Sequence, residues 1–302
     1  MIKILVSDKL SEKAVEKLKE INDFDVTVKT GMSPEELKEE IKKYDAIVIR
    51  SSTKLRKKIL ESADNLKVIV RAGIGLDNVD LNFAKEKNIK VFNTPSATSI
   101  TVAEYTLGLM LSAARNIPQA YMSMKQHKWE KKLFTGTELY GKVAGIIGFG
   151  RIGREVARRE NAFGMKVIFY HYREIKCDIP AEQVEFETLL KESDYISLHL
   201  PLTDKTKGLI GKKELFMMKN DAVLINVARG GVVDEKALLE ALNSGKLRAV
   251  ALDVFEVEPP TNFELLDHPK VIPLPHLGAS AKEGQERAGL EVVRILKEFF
   301  SR

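Results

Sequence analysis

Residues 142–154 read Lys142-Val-Ala-Gly-Ile-Ile-Gly-Phe-Gly-Arg-Ile-Gly-Arg154. The apolar run Val143–Ile147 is a short buried strand, the three glycines that follow are spaced G-x-G-x-x-G, and an amphipathic helix begins near Arg151. Each glycine has a separate physical task. Gly148 permits the tight strand-to-helix turn, Gly150 lets a pyrophosphate approach the backbone, and Gly153 lets the helix lie close to the sheet. Phosphates would then meet the unpaired N–H groups and positive end of that helix. The spacing alone is weak evidence. Set between a strand and a helix, it points to dinucleotide binding rather than a plain turn.

Outward from this stretch, strands and helices alternate. Upstream, residues 2–7, Ala46–Ile49 and Val68–Val70 read as buried strands followed by polar or glycine-rich turns and helices. Ser33-Pro-Glu-Glu36 is a helix start with a capping-box glutamate. From Ser99 one long helix is predicted to about Lys125, opened by the pair Thr101 and Glu104. Downstream strands are predicted at 143–147, 166–170, 195–198, 222–226, 249–253 and 271–274, and the tail from Ser280 reads as a helix. Alternation of this kind predicts parallel sheets. The fold class is α/β with two doubly wound sheets, the second inserted in the first: residues 1–97 with 280–302, and residues 98–279.

Bulk properties narrow the function classes. With 302 residues, 44% hydrophobic and 30% charged, the chain can build about two well-buried domains. A net charge of +5, from 48 basic and 43 acidic residues, is too small to demand nucleic acid or a membrane surface as partner. Cys177 is the one cysteine, which excludes an internal disulfide and a cysteine-based zinc site, so no metal is expected. The first residues form a strand rather than a secretory signal, and no apolar run approaches the ~20 residues of a membrane helix. The expectation is a cytoplasmic protein.

Ligands of doubly wound sheets bind beyond the carboxyl ends of the strands. Of the five histidines, His127 lies on a lysine-rich helix end and His268 in a surface turn, whereas His276 directly follows the last strand. Glu258 follows the neighbouring strand, and a carboxylate beside an imidazole suits an acid–base catalyst. Spacing does not bring the two together, and a helix cap with a buried loop histidine remains the alternative. Arg229, followed by two glycines, suits capture of a carboxylate, or is a surface arginine before a turn. In Arg71-Ala-Gly-Ile-Gly75, Gly73 and Gly75 offer N–H groups to an anion or simply turn the chain. Asp234 reads as a helix cap.

Together these segments resemble the D-isomer-specific 2-hydroxyacid dehydrogenases, and within them the phosphoglycerate-oxidising branch. The motifs that carry the resemblance run from Val48 to Leu290. They include Val48-Ile-Arg-Ser-Ser-Thr-Lys54, Arg71 to Asn78, Lys128-Trp-Glu130, the glycine turn, His199-Leu-Pro-Leu-Thr203, Ala228 to Glu235, Leu252-Asp-Val-Phe255 and Pro275 to Ser280. The resemblance implies a Rossmann cofactor domain inserted in a flavodoxin-like substrate domain. It implies hydride transfer between a nicotinamide cofactor and a D-2-hydroxy acid, 3-phosphoglycerate above all, as the first step of serine biosynthesis. Arg229 would hold the substrate carboxylate, His276 would be the general acid/base, and Glu258 would orient it. Asp253 would bind the nicotinamide amide. The remaining cofactor contacts would come from Gly148, Gly150, Arg151, Ile152, Gly153, His171, His199, Pro201, Thr206, Val227, Ala228 and Gly278. Substrate contacts would come from Arg50, Ser51, Lys54, Arg71, Gly73, Ile74 and Gly75, with Arg50, Lys54 and Arg71 receiving the phosphate. The helix near 99–125 implies a homodimer.

Three alternatives stay open. NAD-using members carry an aspartate at the end of the second cofactor-domain strand, where this chain has His171-Tyr172-Arg173, so NADP is a second candidate cofactor. A glyoxylate/hydroxypyruvate reductase is the second enzymatic reading. A dinucleotide-sensing scaffold, as in the family's corepressors, is the non-enzymatic one, and the complete set of Arg229, Glu258 and His276 argues against it. Because the sequence stops at Arg302, no C-terminal regulatory domain is expected.

Overall fold

The computed structural model of the chain describes residues 1–301. They divide into two compact units, residues 1–99 with 279–301, and residues 100–278.

The first unit holds β1 (Ile2–Val6), β2 (Phe24–Val28), β3 (Ala46–Ile49), β4 (Val68–Arg71) and β5 (Lys90–Asn93). All pair in parallel, in the order β2-β1-β3-β4-β5. Strands covered on both faces are apolar at successive positions, and their side chains still alternate between faces. Thus Ile4, Val6, Val48, Val68 and Val70 enter one core, and Leu5, Ile47, Ile49 and Ile69 the other. Each such side chain contributes about 1.5–3 kcal/mol of burial, which parallel pairing of these strands makes available on both faces at once. The helix Lys282–Phe300 covers the first of these cores with Ala288, Val292 and Leu296. At Gly289 an added Cβ would come within 2.6 Å of Ala14 Cβ, so the absence of a side chain sets how closely this helix packs on the helix Glu12–Lys19. Strand order reverses between β1 and β3, so the loops after these two strands flank the switch point where such sheets bind ligands.

The second unit holds β6 (Val143–Ile147), β7 (Lys166–Tyr170), β8 (Glu182–Gln183), β9 (Tyr195–Leu198), β10 (Ala222–Asn226), β11 (Leu247–Leu252) and β12 (Val271–Pro273). Their order is β12-β11-β10-β9-β6-β7-β8, again parallel, with the reversal between β6 and β9. That is the dinucleotide-fold order extended by one strand. Ala144, Ile146, Val223 and Ile225 face one core, and Ile147 and Leu224 the other.

Local differences from the sequence reading have local causes. The helix predicted over 99–125 is two helices, Ser99–Arg115 and Ile117–Lys125, broken at Asn116 in the left-handed region with φ 52°. Asn tolerates that conformation, and Pro118 cannot continue the upstream hydrogen-bond ladder. Thr101 and Glu104 do not open the helix, which starts at Ser99. Glu104 instead pairs with Arg159 at 3.4 Å. The Ser33–Glu36 capping box is present, and Asp234 caps its helix by accepting from Ala237 N–H at 2.9 Å.

Candidate active site

The glycine turn follows β6, and His199 follows β9, so both stand at the switch point of the second sheet. Gly148 lies at φ +98°, and a Cβ there would come within 2.5 Å of the His199 carbonyl oxygen. A Cβ on Gly153 would collide with the Gly148 carbonyl oxygen, whereas one on Gly150 would meet nothing within 4 Å. Two glycines therefore close the turn, and the third leaves open space in front of it. The helix Arg151–Ala162 has no side-chain cap at Gly150, which leaves the N–H groups of Arg151, Ile152 and Gly153 without intrahelical partners. Open space, free donors and the positive helix end fit a pyrophosphate.

Beyond the other strand ends, the predicted residues have distinct surroundings. His171 follows β7 and begins a braced turn. Its Nδ1 lies 3.3 Å from Arg173 N, and Gln183 Nε2 donates to the carbonyls of His171 (3.1 Å) and Arg173 (2.8 Å). The Tyr172 ring lies 4.6 Å from that of His171, with the Arg173 guanidinium 4.8 Å over it. His199 Nε2 pairs with Ser197 Oγ at 3.1 Å, and its Nδ1 is sealed from solvent without a partner. Burial pushes the His199 pKa down to about 3, so the ring is neutral. Thr206 Oγ1 donates to the Pro201 carbonyl at 2.6 Å and thereby closes the 201–206 turn.

After β10, Val227 and Ala228 are buried and Arg229 emerges. Asn226 sets this emergence: its Nδ2 donates to the Arg229 carbonyl (3.0 Å), and its Oδ1 accepts from Ala228 N–H (3.1 Å). A Cβ on Gly230 would collide with the Phe255 carbonyl, so the Arg229 loop lies directly against the loop that follows β11. In that second loop, Glu258 Oε1 accepts from Phe255 N–H at 3.2 Å. Its Oε2 lies 2.8 Å from His276 Nδ1, beyond β12. The pair is solvent-accessible, at 39% for the Glu258 side chain and 52% for that of His276. Hydrogen bonding through Nδ1 assigns Nε2 to exchange with a ligand. Asp253, 1% exposed, accepts from Leu277 N–H and Gly278 N–H at 2.7 Å each and from the Tyr105 hydroxyl at 2.9 Å.

In the first unit, Arg50, Ser51 and Lys54 follow β3, and Gly73, Ile74 and Gly75 follow β4. Asp8 accepts from Arg50 N–H (2.6 Å) and Thr53 N–H (3.1 Å), while Asn78 Nδ2 donates to the carbonyls of Arg50 (2.7 Å) and Thr53 (2.6 Å). Arg71, expected as a phosphate ligand, turns its donors to this scaffold. Its Nε reaches the Arg50 carbonyl at 3.2 Å, and its Nη1 bonds the Gly75 carbonyl. Asn93 Nδ2 holds the Ile74 carbonyl at 2.5 Å. Lys54 is exposed, and the Ile74 and Gly75 N–H groups make no backbone hydrogen bond among the described residues. Asp8, Asn78, Asn93, Tyr105, Gln183 and Asn226 are absent from the sequence-derived site. Their neighbours in the chain do not show which distant backbone groups they bond, so nothing in the local pattern points across the fold.

The family model for the D-isomer specific 2-hydroxyacid dehydrogenase, NAD binding domain, matches residues 107–278, which include the glycine turn, Arg229, Asp253, Glu258 and His276. The chain belongs to the D-isomer-specific 2-hydroxyacid dehydrogenases. A hydroxypyruvate reductase of Thermotoga maritima is 48% identical over 98% of this chain and 98% of its own length. A D-3-phosphoglycerate dehydrogenase of Methanocaldococcus jannaschii is 50% identical over 99% of this chain, which spans 57% of that protein. The crystal structure of a glyoxylate reductase from Paecilomyes thermophila superposes with a TM-score of 0.89 at 34% identity, covering 100% of this chain and 96% of that one. Family membership accounts for the two parallel sheets and for the NAD-binding domain. Among the described residues no helix is long and apolar enough to cross a membrane, and no cluster of potential metal ligands occurs.

Proposed function

We propose that this chain oxidises 3-phosphoglycerate to 3-phosphohydroxypyruvate with a nicotinamide cofactor, the step that commits carbon to serine. The observation that carries the reading is the 2.8 Å pair of Glu258 and His276 on the same sheet edge as the emerging Arg229. His276 Nε2 removes the C2 hydroxyl proton, and Glu258 holds the Nδ1 proton and favours the imidazolium that results. Arg229 binds the substrate carboxylate through its planar fork, which orients C2. The bound nicotinamide supplies the acceptor for the hydrogen that leaves C2 as hydride. Proton transfer contributes ~10²–10⁴-fold and orientation up to ~7–11 kcal/mol. Lys54, Arg50 and the N–H groups at Ile74 and Gly75 supply the anion-binding side of the reading, with Arg71 as their brace. The M. jannaschii relative supports this substrate. The test is an activity matrix of NAD(H) and NADP(H) against phosphorylated and unphosphorylated acids. Saturation with 3-phosphoglycerate supports the proposal, and equal activity on unphosphorylated acids sinks it.

A specific feature favours a second reading, a reductase of glyoxylate or hydroxypyruvate using NADPH. The braced turn at His171-Tyr172-Arg173 presents an imidazole and a guanidinium where an acidic residue would repel a 2′-phosphate. The T. maritima relative, matched over nearly its whole length, supports it. A higher kcat/KM for NADPH with glyoxylate would decide for this reading.

Assembly as a homodimer is also part of the proposal. Residues 117–133 expose Ile117 (52%), Tyr121 (61%), Met122 (52%), Trp129 (81%) and Leu133 (71%), more apolar surface than an isolated segment keeps in water without cause. Light scattering on the wild type and on Trp129→Lys tests it; a monomeric wild type overturns it.

A further inference from the structure

His276 is held in an unfavourable backbone conformation, with φ +55°, in the turn that follows β12. Such a residue keeps its place only when its surroundings over-determine it. Backbone bonds do part of this: His276 N–H donates to the Leu274 carbonyl (3.1 Å), and Leu274 N–H donates to the Leu252 carbonyl (2.9 Å). The other restraint lies immediately after the histidine. Leu277 N–H and Gly278 N–H both donate to the carboxylate of Asp253, one to each oxygen. Bonds to a buried carboxylate are short and strong, so this fork fixes the peptide planes on the carboxyl side of His276.

A fork of this kind positions the histidine only if the carboxylate itself cannot rotate. The Asp253 backbone is tied to β10 by its N–H to the Asn226 carbonyl at 2.9 Å. Its side chain is tied by Tyr105, whose hydroxyl donates to Oδ1 at 2.9 Å from the helix Ser99–Arg115. The Tyr105 ring also lies beside Gly278: an added Cβ there would stand 3.8 Å from Tyr105 Cδ1 and 3.2 Å from Asp253 Oδ2. Burial and the adjacent carboxylate push the tyrosine pKa up, so the hydroxyl stays a donor.

We propose that Tyr105 is a positioning residue for the proton-transfer step: it locks Asp253, Asp253 locks the N–H groups of Leu277 and Gly278, and these set the direction in which His276 presents its ring to Glu258. The role rests on the proposed dehydrogenase function. The lock itself does not, and it is measurable without turnover. It also gives Asp253 a second task, carried by the same two oxygens, besides any contact with a cofactor amide.

The experiment is Tyr105→Phe, which keeps the ring and removes the donor. Amide hydrogen exchange at Leu277 and Gly278 in the ligand-free protein is expected to rise about tenfold, with exchange in β10 and β11 unchanged. At saturating substrate, kcat is expected to fall about tenfold, while substrate KM and the cofactor Kd from fluorescence quenching stay within about threefold. Should Tyr105→Phe fail to fold, Asp253→Asn carries the exchange test, since an amide cannot accept at both atoms. A lowered Tm with unchanged exchange and unchanged kcat assigns Tyr105 to packing and overturns the proposal. A wild type that turns over no 2-hydroxy or 2-oxo acid sinks the functional reading instead, and the exchange result then stands or falls by itself.

Discussion

Glu258 and His276 lie 18 positions apart in the chain, on the loops after two adjacent strands, and meet at 2.8 Å through Oε2 and Nδ1. Parallel pairing of β11 with β12 makes this possible, because it delivers both loops to one edge of the sheet. The pair is partly open to solvent, so its value lies in the tautomer and direction it gives the ring rather than in stability.

Removing either member should therefore affect turnover more than binding. His276→Ala is expected to lower kcat by ~10²–10⁴-fold, and Glu258→Gln by less, since the amide can still accept from Nδ1–H. Steady-state kinetics with a separate cofactor Kd provide the check. An unchanged kcat in His276→Ala would remove the imidazole from the mechanism.

Gly230→Ala tests the close approach of the loop that carries Arg229 to the loop that carries Glu258. Its new methyl group would collide with the Phe255 carbonyl and carbon, which belong to backbone and cannot rotate away. A loss of about 1–3 kcal/mol is expected, read as a lowered Tm, together with reduced kcat/KM.

Lys54→Ala probes the anion site of the first unit. With 3-phosphoglycerate, KM should rise about tenfold at nearly constant kcat, and the unphosphorylated analogue should show no such change. The contrast between the two substrates carries the test, because a general weakening of the Arg50–Lys54 loop would alter both.

His171→Asp places a carboxylate at the end of β7. It should raise the NADP(H) Kd about tenfold or more relative to NAD(H), measured by calorimetric titration, through repulsion of the 2′-phosphate. Equal effects on both cofactors would mean that this residue does not face the adenosine ribose.

Two buried groups give stability opposite pH slopes. Glu160 is fully buried, and both carboxylate oxygens lack partners. Burial raises its pKa from 4.5 to about 8, so the folded state holds a proton that the unfolded state releases, and stability falls as pH rises from 4.5 to 8. Burial lowers the His199 pKa from 6.5 to about 3, so the unfolded state binds the extra proton, and stability falls as pH drops from 6.5 to 3. Each slope is about 1.4 kcal/mol per pH unit. From these two groups alone the optimum lies between pH 4.5 and 6.5. Denaturant titrations across pH should show the alkaline slope flatten in Glu160→Gln; the same slope in wild type and variant would rule Glu160 out as its source.

Much of this molecule is legible in its sequence alone. The boundaries of β6, β7, β9 and β10 follow from apolar runs bounded by glycine and polar turns, because strands buried on both faces leave little room for other residue types. Gly148, Gly150 and Gly153 declare a turn because only glycine tolerates the collisions seen at two of them. His276, Glu258 and Arg229 could be named from the rule that strand ends carry the ligand groups.

The break at Asn116, the bracing role of Arg71, and the partners Asp8, Asn78, Tyr105 and Asn226 were decided by the tertiary structure. A side chain such as Tyr105 joins Asp253, 148 positions away, only after helix and sheet have packed. Local sequence determines which backbone conformations and buried faces are cheap, and so determined the elements and the strand-end residues. The direction each polar group takes depends on which donors and acceptors are left buried together when those elements pack, and that is a property of the assembled fold alone.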